Sequence, residues 1–263
     1  MPNLSQADSL RILSNIGVAL AGARHGGNVG LVARAMKNTA LSHLVLVRCV
    51  DHRSKTATTF GAPAKEILDK AEVYPSLSRA LKRSTYVVGF TRREGKMRLS
   101  LKPFLDLIPA ILAHARMGKV HLVFGNERTG LSTDEIFHCD VAAYLPSNPH
   151  FPSMNLSHAV MLVGYELLKA LLGDDRLGGI AGPKPEKYPT RQEIERMWAE
   201  FNDVLRRLDY RDMPNLKLLT SILNNSQRLT KRAMPNCSDL NMMRGILSRL
   251  HQRLPNSRRR RFR

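Results

Sequence analysis

Residues 151–170 read FPSMNLSHAVMLVGYELLKA. A turn rich in Pro and Ser leads into a helical run that is apolar nearly all round, and Asn155 stands at its start. The first turn of a helix presents unpaired N–H groups and a partial positive charge. Taken alone, a polar residue there is a cap. Two further stretches deepen the reading: GNVGLVARAMKNTAL at 27–41 and LVFGNERTGLS at 122–132.

Around these stretches, short aliphatic strands alternate with helices. Strands are expected at 16–21, 43–47, 86–90, 120–124 and 141–145, and helices at 30–41 and 103–116. STDE at 132–135 is a capping box ahead of Ile136. Such alternation implies an α/β fold with a mainly parallel sheet. From 173 to 190 Gly and Pro cluster and hydrophobicity falls, which marks a linker. TRQE at 190–193 is a second capping box, opening a helix to about residue 208. Further helices are expected at 216–231 and 238–253, with Met234-Pro235 between them. The expected domains are therefore 1–172 (α/β), 191–255 (a small helical extension) and a disordered basic tail at 256–263. An extension this small docks on the first domain or on a second subunit.

The chain has 263 residues, 43% of them hydrophobic and only 6% aromatic, so the core should be mostly aliphatic. No apolar run is long enough to span a membrane, and residues 1–15 lack the apolar stretch of a signal peptide. Three cysteines, Cys49, Cys139 and Cys237, lie far apart. That argues against a disulfide framework or a zinc site and fits a reducing cytoplasm. The net charge is +19. Residues 1–170 carry 21 basic and 12 acidic side chains, and residues 191–263 carry 17 and 7. An excess of this size favours a polyanion over a membrane surface as partner, because neutralised phosphates release counterions.

No G-x-G-x-x-G follows the first strand, and no Walker loop, H-E-x-x-H or G-x-S-x-G occurs. His138 and Cys139 are adjacent rather than spaced for a metal. What remains is a set of strand-end loops holding Gly, Asn, Glu and Ser, where α/β sheets usually bind ligands.

In order and spacing, the three quoted stretches resemble motifs 1, 2 and 3 of the SPOUT-class (SpoU/TrmH superfamily) RNA 2′-O-ribose methyltransferases. NLKLLTSILNNSQR and DLNMMRGILSRL in the tail resemble the helical extension of the TrmJ-type tRNA (cytidine/uridine-32-2′-O)-methyltransferases. The resemblance implies a C-terminal trefoil knot in the α/β domain, a homodimer, and S-adenosylmethionine (SAM) held in the knot largely by backbone groups. Neither knot nor dimer is visible in periodicity or composition. By position, the resemblance assigns cofactor contacts to Phe90, Thr91, Arg92, Gly125, Leu145, Ser153, Met154 and Asn155. Gly125 lacks a Cβ and lets the backbone approach a ligand. The resemblance makes Arg34 the catalytic residue for the ribose hydroxyl, with Asn28, Glu127, Ser153 and Asn155 as orienting partners. Two roles stay open for Arg34. As a general base it would have to be neutral, which for an arginine near pH 8 costs roughly 8 kcal/mol. As a cation it would grip an RNA phosphate and stabilise developing alkoxide, leaving the proton to a phosphate oxygen or water. No metal is required. The loop FTRREGK at 90–96, with Arg92, Arg93, Lys96 and Arg98 nearby, is more basic than the family pattern. The implied activity is 2′-O-methylation of tRNA at anticodon-loop position 32. An rRNA methyltransferase of the same class and a non-catalytic RNA-binding relative are the alternatives. The tail helices favour tRNA, as do the mere 15 or so residues ahead of the first strand.

Overall fold

The computed structural model describes residues 6–92, 101–151, 153–172, 187–208 and 216–254. The expected linker up to residue 186, the side chains Arg93, Lys96 and Arg98, and the tail 256–263 lie outside the described residues. The chain divides into two compact units, 1–185 and 186–263.

In the first unit the elements run α1 (Gln6–Leu13), β1 (Ile16–Ala21), α2 (Gly26–Asn38), β2 (His43–Val47), α3 (Lys55–Phe60), a 3-10 turn (Ala62–Ala64), α4 (Lys65–Asp69) and β3 (Glu72–Tyr74). They continue as α5 (Leu77–Ala80), β4 (Ser84–Phe90), β5 (Leu101–Pro103), α6 (Phe104–Met117), β6 (Lys119–Phe124), α7 (Thr133–Phe137), β7 (Val141–Tyr144) and α8 (Leu156–Leu172). The seven strands form one sheet in the order β3-β2-β1-β6-β4-β7-β5. Every neighbouring pair is parallel.

Side chains two apart on a strand share a face. Ile16, Val18 and Leu20 of β1 therefore meet Val32 and Met36 of α2, Ile111 of α6 and Val163 of α8 on one side. Ala19, Ala21, Val45, Val87 and Val123 meet Leu77, Leu131 and Ile136 on the other. Both faces are covered, so the strands read as continuous apolar runs such as IGVALA rather than as alternations. From β1 the chain builds outward through β2 to β3, and then β6, β4 and β7 add on the opposite flank. The strand order reverses between β1 and β6, and the loops after these strands are where a parallel sheet presents its ligand crevice.

The expected strands at 16–21 and 43–47 match β1 and β2, and the expected capping box at Ser132 forms. The helix expected at 30–41 runs instead over Gly26–Asn38. Gly30 serves a close helix crossing: a Cβ there would stand 2.4 Å from the Ala57 carbonyl oxygen of α3. Thr39 is the C-cap of α2, and Thr39 Oγ1 donates back to the Ala35 and Met36 carbonyls at 2.9 and 3.2 Å. Ala40 then turns away with φ 57°.

The second unit consists of α9 (Arg191–Arg207), α10 (Leu216–Ala233) and α11 (Cys237–Arg253). The expected box at its start forms: Glu193 N donates to Thr190 Oγ1 at 3.3 Å, and Thr190 N donates to Glu193 Oε2 at 2.7 Å. Met197 and Val204 of α9 pack on Leu240 and Leu247 of α11 as a small core. Arg244 on α11 grips Glu200 on α9 through Nη2 at 2.6 Å and Nε at 3.1 Å.

Candidate active site

The loop after β6 folds back on itself. A Cβ on Gly125 would lie 2.2 Å from the Gly130 carbonyl carbon, so only glycine fits. Gly130 takes φ 67°, and Asn126 and Gly130 form a lone antiparallel bridge. Asn126 Oδ1 accepts from the amides of Arg128 and Thr129 at 2.9 and 3.2 Å. Its Nδ2 donates to the Gly22 carbonyl at the end of β1, at 2.6 Å. Asn126 thereby ties the β6 loop to the β1 loop.

Glu127, next in the chain, completes the tie. Its carboxylate accepts from Arg24 N (3.1 Å), His25 N (3.4 Å) and Asn28 Nδ2 (2.9 Å). Partial burial pushes this carboxyl's pKa up, but the hydrogen bonds from Asn28 and the backbone amides outweigh it and hold the group below its ordinary value. Asn28 Oδ1 in turn accepts from Asn155 Nδ2 at 3.2 Å. Asn155 Oδ1 accepts from Ser157 N and Oγ at 2.9 and 2.7 Å, capping α8. One line of hydrogen bonds, Glu127–Asn28–Asn155, thus joins the three stretches quoted from the sequence, across 99 and 127 residues of chain.

Beside this line opens a cavity of about 270 Å³. Its walls come from the ends of β4, β6 and β7 and from the segment ahead of α8. Phe90 and Phe124, both in its lining, stack with ring centroids 4.5 Å apart and planes nearly parallel. Thr91 N extends the pairing of β4 with β7 by donating to the Ala143 carbonyl at 2.9 Å. Arg92 Nη1 donates to Ser147 Oγ at 2.6 Å, bridging the loops after β4 and β7.

Seven of the eight residues expected at a cofactor line this cavity: Phe90, Thr91, Arg92, Gly125, Leu145, Ser153 and Met154. Glu127 lines it too. Asn155 does not, and stands beside it in the hydrogen-bonded line. Arg34 lies apart from the cavity lining, exposed on α2, its guanidinium making no hydrogen bond or ion pair among the described residues. Asn126, Thr129, Tyr144 and Ser147 also line the cavity without having been singled out. Asn126 and Thr129 stood inside the quoted NERTG, but their role depends on contacts to β1 and on loop curvature. Among the described residues no group of three His, Cys, Asp or Glu side chains could hold a metal.

A half-open cavity with an apolar base, a tight glycine turn and a rim of Arg92, Glu127 and Ser147 suits a ligand that is flat at one end and charged at the other. Comparison with known proteins agrees in kind. A model of the SpoU rRNA Methylase family matches residues 15–165. The tRNA (cytidine/uridine-2'-O-)-methyltransferase TrmJ of Salmonella typhimurium is 31% identical over 243 residues, covering 92% of this chain and 98% of that protein. The protein of the same name from Pectobacterium atrosepticum is 33% identical over 238 residues, covering 90% and 97%. The crystal structure of TrmJ from Z. mobilis ZM4 superposes with a TM-score of 0.72 at 28% identity, over 89% of this chain and 98% of that one. The match of the family model over more than half the chain, and relatives above 30% identity along nearly all of it, place this protein in the SpoU methylase family.

Proposed function

We propose that this protein transfers a methyl group from SAM to the ribose 2′-hydroxyl of a cytidine or uridine in tRNA, at anticodon-loop position 32, and that it acts as a homodimer. The observation that carries the reading is the Glu127–Asn28–Asn155 line set against the cavity. The similarity to TrmJ proteins along nearly their whole length, helical unit included, supports tRNA as the substrate class. The net positive charge supports it as well.

The cavity residues fit SAM. Leu145, Leu156 and Ala143 offer an apolar wall for a base, Gly125 lets the Gly130–Leu131 backbone fold tightly against it rather than leaving space for the ligand itself, and Thr91, Ser147, Arg92 and Glu127 offer partners for a ribose and a charged end. When bound, this cofactor supplies a methyl group already activated on a sulfonium, and the reading calls for no metal. The chain's own residues do the rest. Ionised Glu127 fixes the Asn28 amide, and Asn28 fixes Asn155 and the start of α8. Methyl transfer is an in-line displacement, so this fixed alignment supplies much of the rate. Arg34 stays charged, meets an RNA phosphate, and stabilises negative charge developing on the 2′-oxygen. The hydroxyl proton passes to a phosphate oxygen or to water.

Nucleoside mapping by mass spectrometry tests this, using unmodified tRNA incubated with the protein and SAM. A new 2′-O-methyl group at position 32 is expected. Methylation of rRNA but not of tRNA would overturn the substrate; failure to bind SAM would overturn the enzyme.

A further inference from the structure

Phe60 ends α3 and is 47% exposed as a residue, although its ring is large and apolar. It lies against the first turn of α2: a Cβ on Gly27 would stand 3.4 and 3.6 Å from ring carbons Cδ2 and Cε2. Gly27, Gly30 and Arg34 are spaced i, i+3 and i+7, so they share one face of α2. Gly30 on that face meets the Phe60 carbonyl carbon at the end of α3 and the amide of Gly61 just after it, at 3.1 and 2.7 Å from a Cβ placed there. Arg34 follows one turn further along. The exposed ring and Arg34 therefore flank the same seam between α2 and α3, and Asn28 is the next residue to Gly27.

The surroundings select the occupant. Between residues 22 and 61 the chain holds six Lys and Arg side chains and one acidic one, Asp51. Lys37 and Arg48 are used in ion pairs with Glu66 and Glu135. Arg24, Arg34, Arg53 and Lys55 are exposed and make no ion pair among the described residues. Ser54, the residue between Arg53 and Lys55, touches Gly26, so these two cations border the first turn of α2 as well. An exposed aromatic ring amid unpaired cations matches single-stranded nucleic acid, whose bases stack on aromatic faces while its phosphates meet cations. A plain apolar protein contact would not call for the cations.

We propose that the Phe60 ring is a stacking platform for an unpaired nucleobase of the RNA substrate, set beside the helix face that carries Arg34. This rests on RNA as the substrate of the site proposed above. The base that stacks is the target nucleotide or its neighbour, held so that its backbone passes Arg34. Phe60 is a positioning residue in this scheme: it binds substrate and takes no part in bond making.

The test measures affinity of the full-length protein for an unmodified tRNA transcript, without SAM, for Phe60→Leu and Phe60→Trp. Leucine keeps the apolar contact with Gly27 but has no π face, whereas tryptophan keeps both. Phe60→Leu is expected to weaken tRNA binding about tenfold while SAM affinity stays at the native level. Phe60→Trp is expected to keep native tRNA affinity, and its emission should be quenched on adding RNA. The native protein has one tryptophan, Trp198, whose signal is subtracted. Native-like tRNA binding by Phe60→Leu would overturn the proposal, as would unquenched tryptophan in the RNA complex. Loss of dimer by sedimentation, with RNA affinity intact, would reassign the ring to a second copy of the chain. Because binding is read without methyl transfer, a native protein that binds tRNA but does not methylate it would sink the catalytic reading and still decide on Phe60. A native protein that binds no RNA overturns the platform outright.

Discussion

Asn28 has both ends of its side-chain amide engaged, one by Glu127 and one by Asn155. Replacing it with Ala frees both, and kcat is expected to fall at least tenfold because alignment is lost. Steady-state kinetics reads this directly. Arg34→Ala should lower kcat by about a hundredfold, the usual scale for a lost charge-stabilising donor, while tRNA affinity changes little; a parallel collapse of affinity would make Arg34 a binding residue only. His114 offers a pH test away from the site. It stacks on Tyr86, ring centroids 4.3 Å apart, and burial lowers its pKa to about 4. The folded state thus binds this proton less readily than the unfolded chain does. Its contribution is complete above pH 6.5 and is lost as the pH falls from there towards about 4. Urea denaturation of His114→Phe should show a shallower loss of stability across that window, by roughly 3 kcal/mol at its acid end. At this scale, seven residues that line the cavity were legible through the family resemblance alone. Asn126 was not, because its partner Gly22 is 104 residues away and nothing local marks the bond.

In α2, local pattern and tertiary packing part ways. Leu31, Val32, Ala35 and Met36 mark a helix from residue 30, but the turn ahead of it, with Gly26 and Gly27, does not show in the sequence. They are helical because α3 crosses there at backbone contact, a tertiary fact with no local sign. Gly30→Ala places a methyl group against the Ala57 carbonyl and the Gly61 amide, neither of which is a flexible side-chain end. Stability should drop by about 3 kcal/mol, the upper range for overpacking, with a lower denaturation midpoint as the readout. The strands β3 and β5 escaped notice for a different reason. Each has three residues, too few to show a period, and each lies at an edge of the sheet. The capping boxes at Ser132 and Thr190 were legible in full, since their bonds close within three residues.

For the molecule as a whole, α/β alternation announced the parallel sheet, and the change of composition after residue 172 announced the helical unit. The expected knot and dimer had no such sign, since both concern how distant parts of chain pass one another, and they rest on family likeness. Charge acts at this scale too. Residues 191–263 carry 17 basic and 7 acidic side chains. Removing 174–263 should weaken tRNA binding and flatten its dependence on salt, because fewer counterions are released. An unchanged slope in a salt titration would remove the extension from the RNA interface.

The strand order has a further consequence, for how the chain comes to be folded. The centre of the sheet is the pairing of β1 with β6, Ile16 opposite Val120. These partners are about a hundred residues apart, and contacts of such separation slow folding. As the chain leaves a ribosome, β1 must wait for β6, its apolar IGVALA bordered by β2 alone. A nascent chain cut short before residue 119 keeps that flank open permanently. Such fragments are exposed to edge-to-edge aggregation, so truncations within the first unit should collect in the insoluble fraction of the cell, whereas a cut after α8 leaves the whole sheet paired.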